Sequence, residues 1–282
     1  MGELVSFDLL ESECTKSDHG NQQDHFLHDE NVTAIFRFAQ ATWVNNSRRV
    51  LRSVQHMTDA PMPLIPAATV VVARDGAHGI EVLMVQRPDS GAFPGFWVFP
   101  GGRVDADDAD PADPTNVLAA ARRAAAREAL EETSLTVDFS ALAAFAEWRP
   151  PLTEVKRFGT WFFLAPAFTG EVTINEGELV GNKWVTPTDG LDHHGRGEWK
   201  FAPPTWHTLH TLRSFDSLAD AMAWAHDEEP QCYTTRALIV EGEPLTLMWH
   251  GDAQYEYDDA PDNGARHRIV MVKGNWVYER NV

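Results

Sequence analysis

Glu128, Glu131 and Glu132 stand within the run Arg127-Glu128-Ala129-Leu130-Glu131-Glu132. On a helix, positions i, i+3 and i+4 share one face, so the spacing gathers three carboxylates. Like charges held together call for a cation, and hard oxygen donors select Mg²⁺ or Mn²⁺, ions that usually work on phosphates. Upstream, Phe99-Pro100-Gly101-Gly102 places a glycine-bearing loop after a short apolar run. Loop, helix and carboxylates together describe a site for metal-dependent phosphate chemistry. A Glu-rich helix face with i,i+4 ion pairs is the plain alternative for the carboxylates taken alone.

These residues resemble the Nudix box of the Nudix hydrolases: a glycine, an isolated glutamate, then Arg-Glu-apolar-x-Glu-Glu-x-Gly-apolar. Gly102 opens the box, and Arg127 to Leu135 close it, with Ala129 and Leu135 at the apolar positions. The chain departs from the pattern in three places. An Asp- and Pro-rich stretch, from Asp105 to Pro114, is inserted after Gly102; Ala119 stands where the isolated glutamate belongs; and Ser134 replaces the late glycine. The first two departures are similar to a subgroup that includes acyl-CoA diphosphatases.

The resemblance implies that Glu131 and Glu132 bind metal, and that Glu128 is either a ligand or the base. It also implies that Arg127 orients Glu128 by ion pairing, and that the Gly101 carbonyl is a further ligand. A fourth acidic ligand is expected shortly before a Trp-bearing strand, which points to Glu178, with Glu176 as the alternate, ahead of Trp184. The segment Leu83-Met84-Val85-Gln86-Arg87-Pro88 followed by Phe93 to Gly102 is similar to the coenzyme A signature of Nudix CoA diphosphatases, which makes Arg87 a phosphate contact. Arg149 and Arg157 are further candidate substrate contacts by the same likeness. The implied reaction is hydrolysis of the diphosphate of CoA or acyl-CoA, with ADP-ribose or NADH as the neighbouring choices. A Nudix module that only senses a nucleotide or binds a protein is the alternative of another class. The inserted aspartates read as a flexible acidic surface loop, or as the source of the carboxylate missing at Ala119. His193-His194 has no Cys or His at ligand spacing and reads as a solvated loop.

The surrounding elements read as α/β. Ala67 to Arg74 and Ile80 to Gln86 are Val-rich strands joined by a Gly-bearing hairpin turn, and Trp97-Val98-Phe99 is a short strand. Asp113 or Thr115 caps a helix from about Asn116 to Thr133. Strand-like pieces cover Leu135 to Trp148, with strands at Phe158 to Phe168 and Lys183 to Val185. Helices follow from Pro203 to about Phe215 and from Ser217 to His226. The tail returns to strands at Ala237–Val240, Leu245–Trp249 and Arg268–Val272, turning into Trp276–Tyr278. Gly251-Asp252 and Arg266-His267-Arg268 either line a pocket or cap strands. The expected fold is that of the Nudix family: a mixed sheet between helices, with a C-terminal helical and β-hairpin extension.

The 282 residues divide into an N-terminal arm, 1–56, and a domain over 57–282; Met57 reads as the natural start. The composition, 43% apolar with ten Trp and fifteen Phe, supports a full core. A formal charge of −19 is the wrong sign for a general nucleic-acid binder. Two cysteines, Cys14 and Cys232, are too few for a disulfide framework, so a cytoplasmic location is the default. No apolar run reaches the length of a membrane span. The expected partner is a small nucleoside-diphosphate-linked molecule, with a homodimer left open as the assembly.

Overall fold

The computed structural model describes residues 63–91, 93–152, 154, 156–240, 242–256 and 264–282. The expected arm over 1–56 and the start at Met57 lie outside them. Strand β1 (Ile65–Gly76) organises the sheet. Its first part pairs in parallel with β6 (Phe158–Ala165), and its last part turns antiparallel into β2 (Gly79–Gln86). Gly79 takes φ 109°, which closes the two-residue turn between them. The order β3-β2-β1-β6-β5-β8 includes β3 (Trp97–Val98), β5 (Ala143–Arg149) and β8 (Gln231–Thr234). β7 (Gly181–Val185) pairs with β2, and β4 (Gly101–Arg103) pairs with β1.

One face of the sheet carries α1 (Val117–Thr133). Asn116, rather than Asp113 or Thr115, caps it, its side chain accepting from the Ala119 N–H at 3.0 Å. Ala121, Ala124, Ala125 and Ala129 line its buried face and pack on Ala68, Val70, Val72, Leu83 and Phe163. Methyl side chains let the helix backbone approach the strands, which fixes α1 against β4. The helix ends at Ser134 in the left-handed region, φ 60°, its N–H donating to the Leu130 carbonyl at 2.9 Å. That conformation is the reason a glycine suits the position.

The opposite face is covered by α2 (Pro187–Gly195), α3 (Pro203–Leu212) and α4 (Leu218–Asp227), and by a second sheet. This antiparallel sheet runs β12-β11-β10-β9, formed by β9 (Arg236–Leu238), β10 (Thr246–Met248), β11 (His267–Val272) and β12 (Asn275–Arg280). Trp249 is fully buried at its base. The extension is therefore a sheet of its own rather than a lone hairpin. His193-His194 is not a loop: both residues form the last turn of α2, where His193 stacks on Trp199 and His194 on Phe201. The Asp252 carboxylate accepts from the His267 N–H at 2.9 Å and pairs with Arg268, so these residues tie strands together.

Candidate functional site

The three carboxylates of α1 have different surroundings. Glu132 is buried, 3% exposed, with Oε2 accepting from the Gly101 N–H at 3.0 Å. Burial pushes its carboxyl up to about 7; the Gly101 bond and the Arg87 charge oppose that, while Glu128 and Glu178 add to it. Glu128 is half-buried and is also raised, first by burial, then by Glu131 and Glu178, with Arg127 acting the other way. Glu131 is exposed. Glu128 lies against Gly102 so closely that a Cβ at 102 would land on its carboxylate. A glycine here leaves the Glu128 carboxylate in place, and any larger residue would have to displace it.

Glu178 reaches the cluster because its loop is sewn to the end of α1. The Thr173 N–H donates to the Thr133 carbonyl at 2.9 Å, and the Asn175 N–H to the Glu132 carbonyl at 3.0 Å. Leu179, 1% exposed, anchors the far side. Charge on Glu178 acts on both Glu128 and Glu132. Glu176 sits on the same loop and is exposed. Arg87 follows β2, where its N–H donates to the Phe96 carbonyl, and its guanidinium charge reaches Glu132.

Arg127 is the hub of the outer cluster. Its NH1 donates to Glu128 at 2.9 Å and to Glu131 at 3.0 Å. Its other nitrogens hold both oxygens of Asp108, at 3.1 and 2.9 Å, and the Arg103 carbonyl at 3.0 Å. These partners, Asp108 first, raise its pKa further above the usual guanidinium value. Asp108 overturns the reading of the insertion as a flexible surface loop. It is 5% exposed, ends a 3₁₀ turn (Ala106–Asp108) and accepts from the Asp105 N–H. Asp110 adds an ion pair to Arg123 at 2.7 Å. The insertion thus brings a carboxylate to the box arginine, while Ala119 offers only a methyl group. Arg127 without an acid at 119 was a signal that an inserted aspartate must meet it, although several aspartates competed for the role.

Arg149 and Arg157 have other partners. Arg149 pairs with both oxygens of Glu147 at 2.9 and 2.7 Å. Arg157 is buried, and its Nε and NH2 donate to the Pro150 carbonyl at 3.2 and 3.0 Å. Burial, then the Arg149 charge, lowers its pKa. Arg157 thereby fastens the start of the segment between β5 and β6, while the Arg149 pair stays within β5.

Two buried or half-buried carboxylates with a third and fourth close by form an all-oxygen donor set suited to a hard divalent cation. Among the described residues no three His, Cys, Asp or Glu side chains stand close enough together to hold a metal ion as they are placed, so the carboxylates would have to draw in around one. Arg127 stands between Glu128 and Glu131 as the counter-charge.

The NUDIX domain family model matches residues 63–204. Among solved structures, the chain is similar to a NUDIX hydrolase from Alicyclobacillus acidocaldarius, at 28% identity and a TM-score of 0.50, over 58% of this chain and 97% of that one. It is also similar to the E. coli ORF135 protein, at 22% identity and a TM-score of 0.40, over 54% of this chain and 93% of that one. For a C. elegans Ap4A hydrolase the values are 21% and 0.36, over 54% of this chain and 97% of that one. The family match contains the whole acidic cluster and ends at the start of α3.

Proposed function

This chain belongs to the NUDIX domain family, and from that premise we propose that it is a metal-dependent hydrolase cleaving the diphosphate bond of a nucleoside-diphosphate-linked small molecule. One observation carries the reading. Glu128 and Glu132 are held inward against Gly101 and Gly102, with Glu178 near both, although like charges repel. Packing alone gives no reason to build that repulsion in; a bound cation does.

Glu128, Glu131, Glu132 and Glu178 would hold Mg²⁺ or Mn²⁺, with the Gly101 carbonyl as the further donor. The chemistry supplied there is neutralisation of the diphosphate and a lowered pKa for bound water. The protein's own part is positional. Arg127 fixes the Glu128 carboxylate, and Asp108 fixes Arg127, so that Glu128 stands ready to accept a proton from the attacking water. Arg87, next to Glu132, supplies a guanidinium to a substrate phosphate.

Coenzyme A or an acyl-CoA is the first substrate assigned, on the position of Arg87 between β2 and the Phe93–Gly102 segment; ADP-ribose and NADH follow. Arg149, paired with Glu147 and partly exposed, and Arg157, held on the Pro150 carbonyl, are the further candidate substrate contacts. The test incubates CoA, acyl-CoAs, ADP-ribose and NADH with Mg²⁺ and with Mn²⁺ and measures released 3′,5′-ADP or AMP. Release of 3′,5′-ADP from CoA confirms the first substrate. Tight nucleotide binding with no turnover on any of them would make the protein a binding module.

A further inference from the structure

An edge strand leaves a row of backbone N–H and C=O groups without a strand to bond. Among the described residues, β8 ends the first sheet, and β9 and β12 end the second. β8 and β9 are short, with four and three residues. β12 runs for six residues, Asn275–Arg280, in unbroken register with β11. It carries no Lys, Pro, Gly or bulge to blunt its edge. It also lies wholly beyond the stretch matched by the family.

The pairing of β11 decides which groups of β12 point outward. Toward β10, the Trp249 N–H donates to the His267 carbonyl at 3.0 Å, and the Met271 N–H to the Leu245 carbonyl at 2.8 Å. Toward β12, the Asn281 N–H donates to the Arg266 carbonyl at 3.0 Å. Antiparallel ladders alternate, so the odd residues of β11 bond to β10 and the even ones to β12. The partners of those even residues are Asn275, Val277 and Glu279. Trp276, Tyr278 and Arg280 therefore turn their backbone groups to the open side.

The two faces of β12 differ. Trp276 and Tyr278 lie inward against α3, with Trp206 and His207 at 5.9 and 4.6 Å between ring centres. On the outer face Val277 is 39% exposed and Val272 is 40% exposed. Val277 stands opposite Val270 on β11, so an apolar row leads across the sheet to the open edge.

We propose that β12 pairs antiparallel with the β12 of a second copy of this chain, about a twofold axis at Val277. In that register Trp276 and the second copy's Tyr278 exchange backbone hydrogen bonds, and the reverse pair does the same. On the outer face Val277 meets its own counterpart, and the Asn275 amide meets the Glu279 carboxylate. The row from Val270 to Val277 then continues through the axis into the second copy. An axis at Glu279 would set like carboxylates face to face, and one at Tyr278 would set Val277 against Glu279. A twofold contact needs a strand that complements its own reversal, and β12 does so at Val277, which makes a second copy the occupant. The contact is small, a strand and a valine row, so its dissociation constant should be on the order of 10 µM. It uses the extension alone and stands whatever the acidic cluster hydrolyses.

Sedimentation of the full chain over about 1–200 µM should show a monomer–dimer equilibrium. Val277→Lys, which sets two ammonium groups on the axis, should weaken the dimer by about tenfold or more. Val117→Lys, at an exposed position on α1, should leave it unchanged. In a Cys14→Ser, Cys232→Ser background, Val277→Cys should form a covalent dimer on oxidation, because residues in a non-hydrogen-bonded pair stand about 4.5 Å apart at Cα. Glu279→Cys should not, since its counterpart lies about 14 Å away along the strand. A wild-type chain that stays monomeric at about 200 µM would overturn the proposal. So would a dimer untouched by Val277→Lys, or one that crosslinks at 279 in preference to 277.

Discussion

Two arginine–aspartate pairs, one in each half of the molecule, look alike and serve different ends. Arg127 grips both oxygens of Asp108, and Arg268 grips both oxygens of Asp252. Around Asp252 the charges balance. Burial pushes the carboxyl up, but Arg268 and the N–H groups of His267 and Gln254 outweigh it, and the net pKa is below the ordinary value. Gln254 Oε1 accepts a further bond from Arg268 NH2 at 2.9 Å. Around Arg127 the charges do not balance: Asp108, Glu128, Glu131 and Asp105 surround one cation, with Glu132 and Glu178 behind. A neutral knot is sufficient to hold strands. An anionic surplus kept close to a glycine loop is costly, and that cost marks a place where something else binds.

Glu132→Gln should sharpen the contrast most. Turnover of the diphosphate substrate should fall by about a hundredfold to a thousandfold, while the melting temperature holds or rises, because a buried like charge is removed. Kinetics and thermal melts on one preparation would check both halves; a large fall in stability would place Glu132 with the structural group. Arg268→Met should do the reverse, costing about 3–5 kcal/mol by urea denaturation because Asp252 is left buried and unpaired, with the kcat of the surviving folded fraction unaltered. Asp108→Asn should lie between. We expect turnover down by about tenfold and stability down by about 1–2 kcal/mol, since Arg127 loses a charge-assisted partner and Glu128 loses its orientation.

The acid limb separates the pairs further. The folded Asp252 carboxyl lies below its unfolded value, so its stabilisation is present above about pH 4 and is lost as pH falls through the folded value. Urea midpoints measured downward from pH 5 should therefore fall more steeply in the wild type than in Asp252→Asn. The smallest effect is expected at Ser134→Gly, which relieves a left-handed serine and should stabilise by about 0.5–1 kcal/mol, reduced by loss of the 3.2 Å bond from Ser134 Oγ to the Thr173 carbonyl. Chemical denaturation of the pair of proteins would measure it.

What was readable in the sequence followed how local its cause was. Helix α1 was legible to within one residue of its expected start because alanine propensity is a local property, while its cap was not, Asn116 standing where Asp113 or Thr115 was expected. Strand β4 went unread, since Gly101-Gly102 resembles a loop until β1 offers it hydrogen bonds. Helix α2 carried its own start in Thr186-Pro187, which the turn-like Asp189-Gly190 obscured. At the site, the helical glutamates were legible from spacing. Glu178 was placed by a loop whose attachment to α1 is tertiary, and Asp108 by a fold of the insertion that pairs residues 19 apart. For Arg149 and Arg157 the sequence carried no sign of their protein partners, the Glu147 carboxylate and the Pro150 carbonyl, because both pairings depend on how the chain turns after β5.

The contact between Gly102 and Glu128 makes two distant codons behave as one. In a saturation library, nearly every replacement at 102 would evict the catalytic candidate at 128 toward solvent, abolishing activity while yield and solubility stay high. A bulkier residue at 102 should therefore be tolerated best beside a shorter acid at 128.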